Sequence, residues 1–280
     1  MDFDIRTIDA AYYSLLGLLQ MTDMEFVQEY YINCESDFMQ LWGRHFTQLD
    51  QINLSHIRFI GFHITSNWDN CAEIRENGLM DLQKVLSKDT ALSRLLRSYN
   101  IEFDIAQKVV RSNGQAIDID YDRILQADYF PQSDYAESVE SVAHRIYYDY
   151  LINGFYANDN IFGYGTGIHK RPEFFINLVQ LFPFLSEAET VWERQSKSYK
   201  ITYFAYFNQL APFSFDMNNL NDPPFEDWFD LTEEQRAKKQ MLQMAINRAI
   251  ERLPIVEYMY IKDGTSIPPE QIISYEEISE

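Results

Sequence analysis

A histidine and a threonine lie on one predicted strand of this chain. The run Ile57–Ile64 is rich in Ile and Phe and predicts a β-strand. Because side chains alternate along a strand, Gly61, His63 and Thr65 would project from the same side. A glycine two residues before the histidine leaves room there for a ligand or for another backbone. Either these residues form part of a binding site, or the histidine caps the next helix at a half-exposed strand end.

Glu257 is a second candidate, because it is a carboxylate among apolar neighbours. Residues 255–261 predict a strand on which Glu257 shares one side with Ile255 and Met259. In a cleft, this carboxylate can stabilise positive charge or transfer a proton. At a solvated sheet edge, it would instead discourage aggregation. The sequence leaves both interpretations open.

A glycine-rich segment, residues 163–169, contains Tyr164 and His169. Its spacing differs from the G-x-G-x-x-G fingerprint of dinucleotide-binding folds, and no phosphate-loop Lys-Ser or Lys-Thr follows. The glycines permit tight turns that would let both rings line a pocket, and a plain turn between two helices is the alternative. The histidine spacing predicts no metal site. Neither Cys34 nor Cys71 has a local feature of a nucleophile.

These three segments resemble, in order, the ADP-ribosyltransferase domains of the diphtheria-toxin and poly(ADP-ribose) polymerase branch. There, a strand carrying His-x-Thr/Ser leads into a helix that ends in Gly-Leu, as His63-Ile64-Thr65 precedes Gly78-Leu79 here. The segment Gly165-Thr166-Gly167-Ile168 is similar to that family's second element, which precedes a helix. A strand-borne Glu followed by a returning Ile-Pro segment matches Glu257 and residues 267–272. The three short motifs span roughly residues 57–275.

The resemblance implies an α+β fold with a mixed or antiparallel split sheet, a helical N-terminal region and helical insertions. It also implies a reaction in which ADP-ribose is transferred from NAD to a macromolecular target, as in a toxin or a defence effector. Cleavage of the nicotinamide–ribose bond builds an oxocarbenium-like transition state that a carboxylate near the ribose stabilises. By resemblance, Glu257 is the catalytic carboxylate.

The other roles follow from the same resemblance. His63 would hydrogen-bond a ribose hydroxyl, Thr65 would help to position NAD, and the backbone around Ile64 would hold the carboxamide. Either Tyr164 or His169 would stack on the nicotinamide ring. The family places a tyrosine directly after Gly-Ile, where this chain has His169.

Arginine-specific transfer is disfavoured. The arginine-modifying branch has an acidic residue or Gln two positions before the catalytic Glu, and this chain has Ile255 there.

Hydrophobic periodicity predicts the elements that must position these residues. Helices are expected in the first 50 residues and over Leu82–Leu96. Another helix is expected after the first strand, with Ser66 as its N-terminal cap and Gly78 at its C-terminal end. Further predicted elements are helices over Asp134–Ile152, Pro172–Leu181 and Glu233–Leu253, and strands over Ile201–Phe207, Ile255–Ile261 and beyond Ile267.

The segment Gln209–Asp230 is long for a loop. It is interpreted as a lid, a partner surface or a partly buried loop. Its aromatic residues include Phe213, Phe215, Phe225, Trp228 and Phe229.

The chain has 280 residues and carries 43 acidic and 23 basic side chains, a net charge of −20. This balance argues against a basic nucleic-acid binder and against docking on anionic membranes. No stretch is apolar and long enough to span a bilayer, so a cytoplasmic protein is expected. We expect one domain over residues 1–280, with a helical region over residues 1–55 and the transferase-like core over residues 56–280.

The charge also favours a second class of function. Dense carboxylates can imitate a phosphate surface, so the alternative is an acidic, non-catalytic interaction or inhibitor protein that mimics nucleic acid. A basic protein partner, such as an antitoxin or a target, would suit this net charge, and so would simple solubility. The acidic residues are spread along the whole chain, however, which is typical of ordinary solvated faces.

Overall fold

The computed structural model describes residues 1–127, 133–215, 231–252 and 254–279. Its α-helices are α1 (Ile8–Leu19), α2 (Asp23–Val27), α3 (Phe38–Asp50), α4 (Ala72–Asn77), α5 (Leu82–Ser87), α6 (Ala91–Ser98), α7 (Tyr121–Ala127), α8 (Asp134–Tyr147), α9 (Phe174–Leu181), α10 (Ser186–Gln195) and α11 (Glu233–Ile246). Its strands are β1 (Asp2–Phe3), β2 (Arg58–Asn67), β3 (Ile101–Asp104), β4 (Val109–Ser112), β5 (Gln115–Asp118), β6 (Asn153–Asn158), β7 (Lys197–Tyr206), β8 (Val256–Tyr260) and β9 (Ile272–Ile278). The predicted mixed helix and strand class is confirmed. Among the described residues, no helix is both long and apolar enough to cross a bilayer.

The chain divides into two compact units. The first comprises Met1–Phe62, Asn153–Asp159 and Tyr203–Ile261, and the second comprises His63–Ile152, Asn160–Thr202 and Lys262–Glu280. Strands β2 and β7 each contribute residues to both units. The single domain expected over residues 1–280 stays a prediction.

The first unit contains the strands around the predicted catalytic carboxylate. Strand β6 lies between β8 and β2, and β7 lies on the other side of β2. Strands β6 and β8 are antiparallel, with Gly154 opposite Met259 and a register shift between Phe155 and Ala157. Strand β1 pairs parallel with β2, so Phe3 lies opposite Phe59.

Three helices of the first unit, α1, α3 and α11, pack against one another. Thr7 caps α1 by accepting a hydrogen bond from an amide of the first turn, and Thr232 and Gln235 form a capping box on α11. The α-helix is shorter than the helix predicted over Glu233–Leu253. It ends at Ile246 and continues as a π-helix over Asn247–Glu251, and Leu253 lies outside the described residues.

The core of the second unit is formed by helices α5, α6, α8, α9 and α10 with the antiparallel sheet β3-β4-β5. The helix predicted over Leu82–Leu96 is two helices, because Thr90 caps a new helix and accepts a hydrogen bond from the Ser93 amide at 3.1 Å. The helix predicted over Asp134–Ile152 ends at Tyr147. Phe155 and Tyr156 further along belong to β6, which periodicity did not reveal.

Two local predictions also differ from the structure. Ser66 is a residue of β2 and no helix cap, because its hydroxyl oxygen accepts a hydrogen bond from Trp192 Nε1 at 2.8 Å. Asp69 instead accepts hydrogen bonds from the amides of Ala72 and Glu73. In the predicted lid segment, residues 216–230, including Phe225, Trp228 and Phe229, lie outside the described residues. Within its described part, Phe215 is buried.

Candidate active site

Glu257 is the second residue of β8, and its side chain is partly buried. It projects from the same side of the strand as Met259, while Tyr258 and Tyr260 stack on the opposite side with ring centroids 5.6 Å apart. Burial raises the pKa of the Glu257 carboxyl above its ordinary value of 4.5. Among the described residues, none forms a hydrogen bond or an ion pair with this carboxylate.

The outer edge of β8 is covered at Tyr260 and Ile261, after Glu257. Leu210 forms a β-bridge with Ile261. The Tyr260 carbonyl accepts hydrogen bonds from the Ala211 amide at 2.9 Å and from the Ser214 hydroxyl at 3.0 Å. The partial burial of Glu257 itself favours the cleft interpretation over the solvated-edge interpretation.

Two tyrosine hydroxyls in the same unit are fully buried and have no hydrogen-bond partner among the described residues. They belong to Tyr156 on β6 and Tyr203 on β7. Burial raises the pKa of Tyr156 well above its ordinary value, and the charges of Tyr203 and Glu257 raise it further. Burial also raises the pKa of Tyr203. Both hydroxyls therefore stay protonated at neutral pH, and that of Tyr156 lies within electrostatic reach of Glu257.

Glycines allow side chains to approach the sheet here. A Cβ on Gly61 would overlap the sulfur of Met259 and would lie 2.9 Å from the Phe155 carbonyl oxygen. A Cβ on Gly154 would overlap the Tyr203 hydroxyl. The predicted room beside Gly61 exists, and it is occupied by a neighbouring backbone and by the Met259 side chain.

His63 and Thr65 lie on the part of β2 that belongs to the second unit. Both are half-buried, whereas Ile64 between them is buried, as strand alternation predicts. The Thr65 hydroxyl donates a hydrogen bond to the Ser66 carbonyl at 3.3 Å. The two side chains therefore share one partly accessible side of the strand.

The first and third motifs are joined by hydrogen bonds within the second unit. The Leu79 amide donates to the Ile267 carbonyl at 2.9 Å, and the Ile267 amide donates back to the Leu79 carbonyl at 3.0 Å. Gly78, which ends α4, has a φ of +76° and leaves no space for a Cβ beside Ile267 and Pro268. Glycine is required at this position for both reasons.

The glycine-rich segment forms tight turns before α9. Gly167 has a φ of +64°, and its amide donates a hydrogen bond to the Tyr164 carbonyl at 3.1 Å. Tyr164 is half-buried, whereas His169 is buried with its ring edge-on to Phe162, 5.2 Å between centroids. The His169 carbonyl accepts a hydrogen bond from the Ser198 hydroxyl at 2.6 Å. Of the two rings predicted to stack on a ligand, Tyr164 is the accessible one.

The predicted site residues are divided between the two units. Glu257 belongs to the first unit, and His63, Thr65, Tyr164 and His169 belong to the second. Sequence reasoning missed Tyr156 and Tyr203 of the first unit. The run Gly154-Phe155-Tyr156-Ala157 was a usable signal, because aromatic residues after a glycine favour a strand.

The second unit also has an acidic groove. A cavity of about 580 Å³ is lined by α8 and α9 and includes the carboxylates of Glu137, Glu140, Asp149 and Glu173. Arg145 forms ion pairs with Asp149 and Glu173. Glu137 and Glu140 have no ion-pair partner in the described part of the chain.

No protein-family model, no curated protein and no solved structure matches this chain. Across the described ranges, no group of three or more His, Cys, Asp or Glu side chains is arranged to hold a metal ion.

Proposed function

We propose that the protein is an ADP-ribosyltransferase-like enzyme that transfers ADP-ribose from NAD to a macromolecular target. The observation that carries this proposal is Glu257, a partly buried strand carboxylate with no protein partner among the described residues. A carboxylate kept without a partner is costly for a fold and is typical of functional sites.

Glu257 supplies the electrostatic part of the reaction. The bond between ribose C1′ and the nicotinamide nitrogen breaks, and its electron pair leaves with nicotinamide. Positive charge develops on the ribose, and the Glu257 carboxylate stabilises it and holds the 2′-hydroxyl. A nucleophile of the target then forms a bond to C1′ and releases its proton to the solvent. The residue Ile255, two positions before Glu257, disfavours arginine as that nucleophile.

The roles of the other residues in this proposal come from the resemblance. His63 hydrogen-bonds a ribose hydroxyl, Thr65 helps to position the molecule, and the backbone around Ile64 holds the carboxamide. Their partial exposure on one side of β2 supports these roles. Tyr164 is preferred over His169 for stacking on nicotinamide, because His169 is buried.

The order of elements supports the resemblance on which the proposal rests. Strand β2 leads into α4, which ends at Gly78, and β8 is followed by a return into β9. The backbone hydrogen bonds between Leu79 and Ile267 bring the Gly-Leu and Ile-Pro motifs next to each other. We extend the proposal to an ADP-ribosyltransferase-like split-sheet core and to a toxin or defence effector of the cytoplasm. The buried free thiols of Cys34 and Cys71 are compatible with that compartment.

Transfer of label from NAD tests the proposal. The purified protein is incubated with NAD labelled in its adenylate phosphate and with a cell extract as a source of targets. We expect labelled protein bands with the wild type and none with Glu257→Gln, which keeps the side-chain volume but removes the charge. Glu270→Gln is the matched control, because Glu270 is exposed and close in sequence.

Two results would contradict the enzyme proposal. One is equal labelling by the wild type and Glu257→Gln, and the other is no labelling by the wild type. In either case, circular dichroism must show that the proteins compared are folded.

The acidic groove favours a second candidate, a non-catalytic inhibitor that mimics nucleic acid. Glu137 and Glu140 present unpaired carboxylates beside the ion pairs of Arg145. This candidate predicts that a nucleic-acid-binding protein is displaced from DNA by the wild type and less by the variant Glu137→Gln/Glu140→Gln. Displacement without NAD cleavage would favour it over the enzyme.

A further inference from the structure

The N-terminal helices of the first unit expose an apolar surface. Helix α2 continues into a π-helical segment over Gln28–Asn33. The buried side of this helix carries Phe26 and Tyr30, whose rings stack with centroids 5.4 Å apart. Its other side exposes four large apolar residues, which we call the N-terminal apolar face: Met24, Val27, Tyr31 and Ile32. Met24 is 77% exposed and Ile32 is 64% exposed, which is unusual for side chains of this kind.

A cavity adjoins the N-terminal apolar face. Its volume is about 470 Å³, and Met24 contributes to its wall together with Leu19 and Met21. Methionine side chains adapt to different partner shapes, because they are unbranched and polarisable. The face and its cavity therefore offer apolar area and a recess for an inserted side chain.

The segment that carries this surface contains acidic residues and no Lys or Arg. The sequence contains no Lys or Arg between Arg6 and Arg44, and it contains six acidic residues there: Asp9, Asp23, Glu25, Glu29, Glu35 and Asp37. Glu29 is already engaged by Arg44 and His45. The other five are exposed. The surface thus combines apolar side chains with carboxylates that have no basic residue in the same segment.

We propose that the N-terminal apolar face binds a basic amphipathic helix of a partner protein. The apolar side of such a helix packs on Met24, Val27 and Ile32, and its Lys or Arg residues meet the surrounding carboxylates. Charge complementarity selects this occupant. A second copy of this chain would bring like charges together, and an anionic membrane would repel the same carboxylates. The binding does not depend on the proposed enzyme activity.

A designed peptide tests this surface. The probe is a fluorescent helical peptide with Leu at positions i, i+3, i+4 and i+7 and Lys elsewhere. One control peptide has the same composition in an order without an apolar side, and another carries Glu in place of Lys. We expect the wild-type protein to bind the probe, with an affinity that falls as salt rises, and to bind both control peptides more weakly.

Two protein variants locate the binding. Met24→Ser/Ile32→Ser removes apolar area from the face, and Leu125→Ser/Ile273→Ser removes comparable exposed area elsewhere, where the side chains are 50% and 53% exposed. The first variant should bind the probe about tenfold to a hundredfold more weakly, and the second should bind like the wild type. All four side chains are exposed, so both variants should remain folded. Equal affinity of the two variants, or equal binding of the probe and the rearranged peptide, would overturn the proposal.

Discussion

The sulfur of Met259 lies where a side chain on Gly61 would have to be. Glycine is therefore needed at position 61 for packing within the sheet of the first unit. The same strand, β8, carries Glu257 on the side from which Met259 projects. The glycine on β2 thus determines how closely the side chains of β8 can pack beside the candidate catalytic carboxylate.

Gly61→Ala should destabilise the protein by about 1–3 kcal/mol, because the new methyl group would overlap Met259 and approach the Phe155 carbonyl. The flexible Met259 side chain can move aside, whereas the backbone carbonyl cannot. Urea unfolding measures the change in free energy. The matched control is Gly165→Ala, because a Cβ on Gly165 would have no neighbour within 4 Å. Equal stability of both variants would contradict the close packing described around Gly61.

Tyr203→Phe should leave the free energy of unfolding unchanged or raise it by about 1 kcal/mol. The reason is that its buried hydroxyl has no hydrogen-bond partner among the described residues. Tyr147→Phe serves as the contrast, since the Tyr147 hydroxyl donates to the Ile105 carbonyl at 3.1 Å. That variant should lose about 0.5–1.5 kcal/mol in the same urea titration. A larger loss for Tyr203→Phe than for Tyr147→Phe would reveal a partner for the Tyr203 hydroxyl.

Glu29→Gln should destabilise the protein at neutral pH by about 1–3 kcal/mol, because it weakens a buried group of charged hydrogen bonds. The Arg44 guanidinium, with Asn33 and His45, lowers the pKa of Glu29 to about 2. A lowered pKa stabilises the fold above the ordinary value of 4.5, and this stabilisation is lost as pH falls through the folded-state value.

Thermal unfolding from neutral pH to about pH 2 checks this prediction. The difference between the wild type and Glu29→Gln should shrink as pH decreases. Glu35→Gln, which changes an exposed residue of the same segment, should stay close to the wild type throughout. A constant difference across the titration would argue against the role assigned to Glu29.

Glu257 should show the opposite dependence on pH. Burial raises its pKa above 4.5, so ionisation on the folded protein costs stability as pH rises through the raised value. Glu257→Gln removes that cost. Its free energy of unfolding should match that of the wild type at acidic pH and exceed it at neutral pH. A Gln variant that is less stable at neutral pH would mean that the Glu257 carboxylate has a stabilising partner.

Local sequence signals were sufficient for several elements. The Ile- and Phe-rich run predicted β2, apolar periodicity predicted most of α11, and Gly78 marked the end of α4. These features depend on neighbouring residues alone, since strand alternation and the left-handed helix end are properties of the local backbone.

Other features were missed, and most of these depend on tertiary pairing. Strand β6 was not recognised, because it follows α8 after a few residues and the helix was predicted to continue to Ile152, directly before the strand. The overlap of Met259 with the space above Gly61 depends on the pairing of β6 with β8. The burial of His169, which distinguishes it from Tyr164, likewise follows from packing around Phe162 and Ser198.

Release of nicotinamide from NAD is the most direct measurement of the central claim, because it reports bond cleavage whether or not a target is present. The rate is measured by chromatography for the wild type, Glu257→Gln and Glu270→Gln at several pH values. The wild type and Glu270→Gln should release nicotinamide, at rates that rise as the Glu257 carboxyl ionises above the ordinary Glu range. Glu257→Gln should be slower by at least about a hundredfold. A Glu257→Gln rate equal to that of the wild type, or no release by the folded wild type, would contradict the assignment of Glu257 as the catalytic carboxylate.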